Sequence, residues 1–131
     1  MQKILITGVA GFIGFHLARR LLEDQDLMII GIDNLNDYYS VKLKKERLKI
    51  LNKFKKKFIF KKIDICDQKK INSLFLKNKF SKVVHLAAQA GVRYVEKNPS
   101  TYFENNLKGF FNILESCRLY KVNHLVSAST S

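Results

Sequence analysis

The chain alternates short apolar runs with amphipathic stretches. Lys3-Ile4-Leu5-Ile6-Thr7 is rich in β-branched residues and reads as a strand. Phe12 to Leu22, with Ile13, Leu17 and Leu21 four apart, reads as a helix. Leu27 to Ile32 predicts a second strand, Phe58 to Ile63 a third, Lys82 to Leu86 a fourth and His124 to Ser127 a fifth. Residues 41–53 predict a helix whose Val41, Leu48, Leu51 and Phe54 face a core. Asp67 is placed to cap a helix carrying Ile71, Leu74 and Phe75. Residues 89–98 read as irregular. Asn98 and Pro99 then start a helix of about five turns, with Phe103, Leu107, Phe110, Leu114 and Cys117 as its inner stripe. Five strands alternating with four helical segments predict an α/β domain built on a parallel sheet.

The turn Gly8-Val9-Ala10-Gly11-Phe12-Ile13-Gly14 joins the first strand to the first helix. Gly8 allows backbone angles that a side chain forbids. Gly11 lets the backbone approach a pyrophosphate, and Gly14 lets the helix pack closely on the strand. The helix start offers unpaired N–H groups and a partial positive charge to phosphates. The second strand ends in Asp33, 19 residues after Gly14, near the offset of a ribose-binding acid. A carboxylate there accepts from both ribose hydroxyls and repels a 2′-phosphate, which favours NAD over NADP. The alternative is a plain βαβ unit whose Asp caps a strand end.

Composition narrows this picture. The 131 residues suit one domain, and 47% are hydrophobic, enough for a core. No apolar stretch approaches a membrane span. Met1 leads straight into a strand with no visible signal peptide, so the cytoplasm is expected. Cys66 and Cys117 stand 51 residues apart without metal-site spacing, and read as reduced, packed thiols. No metal site is expected. The net charge is +13, of which residues 42–62 carry +10. That run could meet an anionic partner such as nucleic acid. It is nearly all Lys rather than Arg, so a solvated helix face is the preferred reading.

Strand ends position the remaining candidates. The polar loop 34–40 can flank an adenosine. Asp64 could meet the adenine amino group or simply form a turn. Ala87, Ala88 and Ala90, with Gly91, leave room for a cofactor against backbone. His85 is expected to pack in the sheet rather than act as a base. Asn105 and Asn106 sit inside a helix at some cost in propensity, so one is expected to bond a ligand or loop backbone, unless both are simply exposed to solvent.

Thr7-Gly8-x-x-Gly11-x-x-Gly14, His85-Leu86-Ala87-Ala88 and Asn105-Asn106-x-x-Gly109 resemble signature elements of the extended short-chain dehydrogenase/reductase superfamily. Gly31-Ile32-Asp33-Asn34-Leu35-Asn36-Asp37-Tyr38-Tyr39 and Ala88-Gln89-Ala90-Gly91-Val92-Arg93-Tyr94 are similar to segments of bacterial UDP-glucuronate 4-epimerases. The resemblance implies a Rossmann-type doubly wound parallel sheet, truncated after the fifth strand, with tightly held NAD. It implies oxidation of sugar C4, rotation of the 4-keto intermediate, and return of the hydride to its other face. Phe12 and Ile13 would meet the pyrophosphate through their backbone. Asp33 would hold the adenosine ribose, with Asn34, Leu35, Asn36, Asp37 and Tyr38 around it. Asp64 and Ile65 would meet adenine. Leu86, Ala87, Ala88, Gln89 and Ala90 would line the cofactor, with Asn105 near the nicotinamide side. Thr130 falls where the superfamily places its catalytic Ser or Thr, and Gln89 and Arg93 are candidates for the sugar nucleotide.

The resemblance also implies a Tyr-x-x-x-Lys pair and a substrate domain beyond the fifth strand. The 131 residues are therefore expected to be a cofactor-binding portion, lacking that pair and inactive alone. Exposed apolar surface, with marginal stability or association, is expected; the full-length family is expected to be a homodimer. The alternatives are a dehydratase or decarboxylase of the same superfamily and a non-catalytic NAD-sensing module. A nucleic-acid binder ranks last, because few aromatics interleave the basic run.

Overall fold

The five predicted strands are all present in the computed structural model, which describes residues 1–129. They are β1 (Gln2–Thr7), β2 (Leu27–Asp33), β3 (Phe58–Lys62), β4 (Lys82–His85) and β5 (His124–Ser127). All pair in parallel, in the order β3-β2-β1-β4-β5. The chain moves outward from β1 through β2 to β3, then returns to the other side of β1 for β4 and β5. This is the Rossmann-type arrangement, and its switch point lies between β1 and β4.

Strand alternation splits the core between two faces. Ile4 and Ile6 join one cluster with Phe15, Ala18 and Leu22 of α1 (Phe12–Asp24) and Leu48 and Leu51 of α2 (Val41–Leu51). Leu5 joins the other, with Ile71, Leu74 and Phe75 of α3 (Gln68–Lys77) and Ile113 and Cys117 of α6 (Phe110–Leu119). Helices thus cover both faces, as a parallel sheet requires. Asp67 caps α3, its Oδ1 accepting from Lys70 N at 3.1 Å.

The first helix forms as expected, burying Phe15, Ala18 and Leu22 while Ile13 is 63% exposed. Three local expectations need correction. A short helix, α4 (Val92–Lys97), forms where irregular chain was expected. Asn98 makes no side-chain cap for α5 (Pro99–Phe103). The long helix then widens into a π turn over Glu104–Gly109 before α6; of its predicted inner stripe Cys117 is buried and Phe110 half-buried, but the other three face out. Phe103, Leu107 and Leu114 are 59, 57 and 46% exposed. The buried side carries Asn112 and Ser116 because both find partners inside. Asn112 Nδ2 donates to the Ile65 carbonyl at 2.9 Å, and Ser116 Oγ to Asn72 Oδ1 at 3.3 Å. Satisfied polar groups tolerate burial, so apolar periodicity alone misassigns this face.

His85 does pack within the sheet. Thr7 Oγ1 accepts from Leu86 N and Ala87 N, both at 3.0 Å, so its own proton goes to His85 Nδ1 at 2.7 Å. The imidazole is therefore neutral with its proton on Nε2. Burial lowers its pKa from 6.5 to about 4. The unfolded chain takes up this proton near pH 6.5 and the folded chain only near pH 4. Stability should therefore fall as pH drops through that window, by roughly 3 kcal/mol in full. Denaturant titrations of wild type and His85→Gln between pH 7 and 4 should diverge in slope; parallel curves would contradict the assignment.

Candidate cofactor cleft

The cleft forms where β1, β2 and β4 end together. The turn after β1 has Gly8 at φ +69°, with Gly11 N bonded to Gly8 O at 3.0 Å. A Cβ at Gly14 would fall on the Gly8 carbonyl oxygen, so only glycine lets α1 start this close to the strand. Gly11 is the N-cap and provides no capping side chain, and the first turn of α1 carries no acid. Its leading N–H groups and partial positive charge face the cleft end of the sheet without a negative side chain.

Asp33 ends β2 beside this turn. Its Oδ2 accepts from Ala10 N at 3.1 Å and its Oδ1 from Leu35 N at 2.9 Å. A carboxylate has about four acceptor positions, so each oxygen keeps capacity for a hydroxyl. The cleft occupies about 140 Å³. Gly8, Gly11 and Asp33 line it with Asn34, Asn36, Tyr38, Ile65 and the run Leu86 to Ala90, and with Asn105.

The 89–91 side is held by the π segment. Asn106 Oδ1 accepts from Gln89 N at 2.7 Å, and its Nδ2 donates to Gln89 O at 3.0 Å. Of the two asparagines, Asn106 thus secures the loop. Asn105 lines the cleft, its Nδ2 bonded to Thr101 O at 2.9 Å. Gln89 is 3% exposed; its Nε2 donates to Ala90 O, while its Oε1 has no protein partner. An unpaired buried acceptor in a cleft wall fits a ligand donor.

The sequence profile of the GDP-mannose 4,6 dehydratase family matches residues 5–131. The chain belongs to this NAD-dependent epimerase/dehydratase family. It is 48% identical over 130 residues to Protein CapI of Staphylococcus aureus, spanning 99% of this chain and 38% of that one. It is 44% identical over 131 residues to the UDP-glucuronate 4-epimerase of Thermodesulfobacterium geofontis, spanning 100% and 40%. The structure of UDP-glucuronic acid 4-epimerase from Bacillus cereus, in complex with UDP-glucuronic acid and NAD, superposes with a TM-score of 0.88 at 34% identity, covering 99% of this chain and 40% of that one. The chain therefore spans about two-fifths of the length of these relatives.

Other predicted residues of this family member lie away from the cleft wall. The side chains of Phe12 and Ile13 are exposed, leaving only their backbone toward the turn. Leu35 packs against the core at φ +55°, and Asp37 is exposed. Asp64 is in a turn: Oδ1 accepts from Cys66 N at 2.9 Å and Oδ2 from Asn34 Nδ2 at 3.5 Å. Arg93 is exposed on α4. Thr130 lies outside the described residues. Burial and, for Cys66, the Asp64 charge push both thiols up to about 11, which keeps them protonated. No cluster of His, Cys, Asp or Glu among the described residues is placed to hold a metal. No described helix is long and apolar enough to cross a membrane.

One expectation about the chain itself is corrected: Tyr38 and Lys42 do have Tyr-x-x-x-Lys spacing. They precede the third strand rather than follow the fifth. Lys42 is exposed on α2, and the Tyr38 hydroxyl abuts Gly91.

Lys44, which lines the cleft, and Arg47, which braces the glycine turn and Tyr39 beside it, were missed because they sit inside the lysine run. Lys44 is 5% exposed; its Nζ donates to Asn36 O at 2.8 Å and Asn36 Oδ1 at 2.9 Å, 4.4 Å from the Tyr39 ring centre. Burial lowers its pKa, the Asp33 charge opposes this, and Arg47 adds to it. Arg47 donates to Ala10 O at 3.0 Å and Tyr39 Oη at 2.9 Å. The signals were present: Lys44 continues the Val41, Leu48, Leu51 stripe, and Arg47 is the sole arginine of residues 42–62. Exposed Lys42, Lys45 and Lys49 match the solvated-face reading.

Removing the Asn106 amide should strand two Gln89 backbone groups. Asn106→Leu is expected to lower stability by about 1–3 kcal/mol and to speed amide exchange at 88–91. Unchanged exchange there would show that the loop is held by something else.

Proposed function

We propose that these residues form the NAD-binding portion of a sugar-nucleotide 4-epimerase that interconverts UDP-glucuronate and UDP-galacturonate. The observation that carries this reading is Asp33, a carboxylate with spare acceptor capacity beside an uncapped helix start. The names of the relatives and the NAD in the Bacillus cereus structure support it. The cleft is smaller than the 300–1,000 Å³ or so of whole-ligand sites, so it suits part of a dinucleotide, with the diphosphate lying along the open glycine turn.

The turn's backbone N–H groups and the α1 dipole would neutralise diphosphate charge. Asp33 would accept from the ribose hydroxyls, with Asn36 and Tyr38 at the rim. Ile65 would offer an apolar wall to the adenine. Gln89 Oε1 would accept from a ligand hydroxyl or amide. The bound nicotinamide would supply the hydride acceptor for sugar C4. Thr130 would donate to the C4 oxygen as charge grows there. Arg93 would serve a substrate anion. Acid–base catalysis is assigned to residues beyond these 131. We place the protein in the cytoplasm and its full-length form in a homodimer, for which exposed Phe103, Leu107, Phe111 and Leu114 offer surface to cover.

A dehydratase or decarboxylase of the same superfamily would use this cofactor portion equally well. The family description itself, GDP-mannose 4,6 dehydratase, keeps that second reading open.

Calorimetry should show NAD binding more tightly than NADP. Asp33→Ala should weaken NAD about 10- to 100-fold and narrow that preference. Equal wild-type affinity for both cofactors would overturn the reading. The 131-residue chain loaded with NAD should leave UDP-glucuronate unchanged; turnover would show that the acid–base groups lie within it.

A further inference from the structure

We propose that Tyr94 is a positioning residue for the cofactor: it holds Tyr38 as a strap across the cleft and slows release of the bound dinucleotide. This rests on the NAD-binding reading above. Strands β2 and β4 lie on either side of β1. The loop after β2 and the segment after β4 therefore leave the sheet on opposite sides of the glycine turn. Asn36, Tyr38 and Tyr39 line the cleft from one side, Gln89 and Ala90 from the other.

Tyr38 crosses that gap. Its ring meets the Tyr94 ring edge to face, with centroids 4.9 Å apart and planes at 71°. Its hydroxyl occupies the space that a Cβ at Gly91 would fill, and Gly91 holds φ +95°, a conformation suited to glycine. A segment that begins without a side chain, in a left-handed turn, makes room for the tyrosine of the opposite loop.

The rest of the 34–40 loop is anchored from its own side. Lys44 holds Asn36, Arg47 holds Tyr39, and the Ser40 side chain accepts from Leu43 N. Between these anchors the tip at Asp37 and Tyr38 is tied only across the cleft. No hydrogen bond among the described residues joins that tip to 89–97, so the bridge consists of the ring contact with Tyr94 and the seat of the Tyr38 hydroxyl against Gly91. An edge-to-face pair is weak enough to open for exchange and strong enough to slow it. Tyr94 does not line the cleft, and so acts through Tyr38.

The test measures NAD dissociation by stopped flow, and amide exchange at 36–39 in the ligand-free chain. Tyr94→Ala should speed NAD release about three- to tenfold and raise exchange at 36–39. Tyr94→Phe keeps the ring and should behave as wild type. Tyr38→Ala should speed release as well, and the double variant should release no faster than Tyr38→Ala alone. Release at the wild-type rate in Tyr94→Ala, equal effects of Phe and Ala at 94, or fully additive effects at 38 and 94 would each overturn the strap. Should wild type bind no NAD, the cofactor reading fails. The exchange arm then decides the positioning role alone: unchanged exchange at 36–39 in Tyr94→Ala overturns it.

Discussion

The close seat of α1 on the end of β1 is the constraint from which the site follows. Gly14 meets the Gly8 carbonyl without a side chain between them, which brings the helix start to the edge of the sheet. Nothing negative in the first turn satisfies that start. Asp33, at the next strand end, is then within reach of Ala10 N and ties the turn to the β2 loop. One carboxylate thus shapes the backbone and keeps acceptor positions for a ligand. Both effects depend on the parallel register of β1 and β2, which runs from Gln2 opposite Leu27 to Thr7 opposite Ile32.

A second layer of polar contacts makes the cleft wall rigid. Thr7 binds two loop N–H groups and the neutral His85 at once, fixing how the chain leaves β4. Asn106 then fixes the loop at Gln89 from the outer helix. The π turn lies here, at the segment that places one asparagine on the loop and its neighbour in the cleft; such turns recur at functional sites. Lys44 and Arg47 do the same work for the opposite loop, through Asn36 and Tyr39. The basic run is therefore a solvated face that also turns two cations inward.

Much of this was legible in the chain. The five strands, the glycine turn and Asp33 follow from short-range patterns, since period-two alternation and glycine spacing are local properties. Gln89, Ala88 and Ile65 were also named in advance, and the structure brings them to one cleft. Asp64 and Arg93 were named too but lie outside the cleft wall, because a turn and an exposed helix claim them. The outer helix was misread because apolar periodicity assumes that polar residues stay wet. Asn112 and Ser116 break that assumption by finding partners on α3 and on the segment that precedes it.

By itself, the sequence determined the class of fold, the phosphate-type turn and the acid that follows it. These depend on backbone freedom and residue spacing, which neighbouring residues specify. Only the tertiary structure decided which face of α6 is buried, which cations of the lysine run turn inward, and that Tyr38 meets Tyr94 across the cleft. Those outcomes depend on partners 8 to 56 positions away in the chain, brought together by loop geometry and strand order.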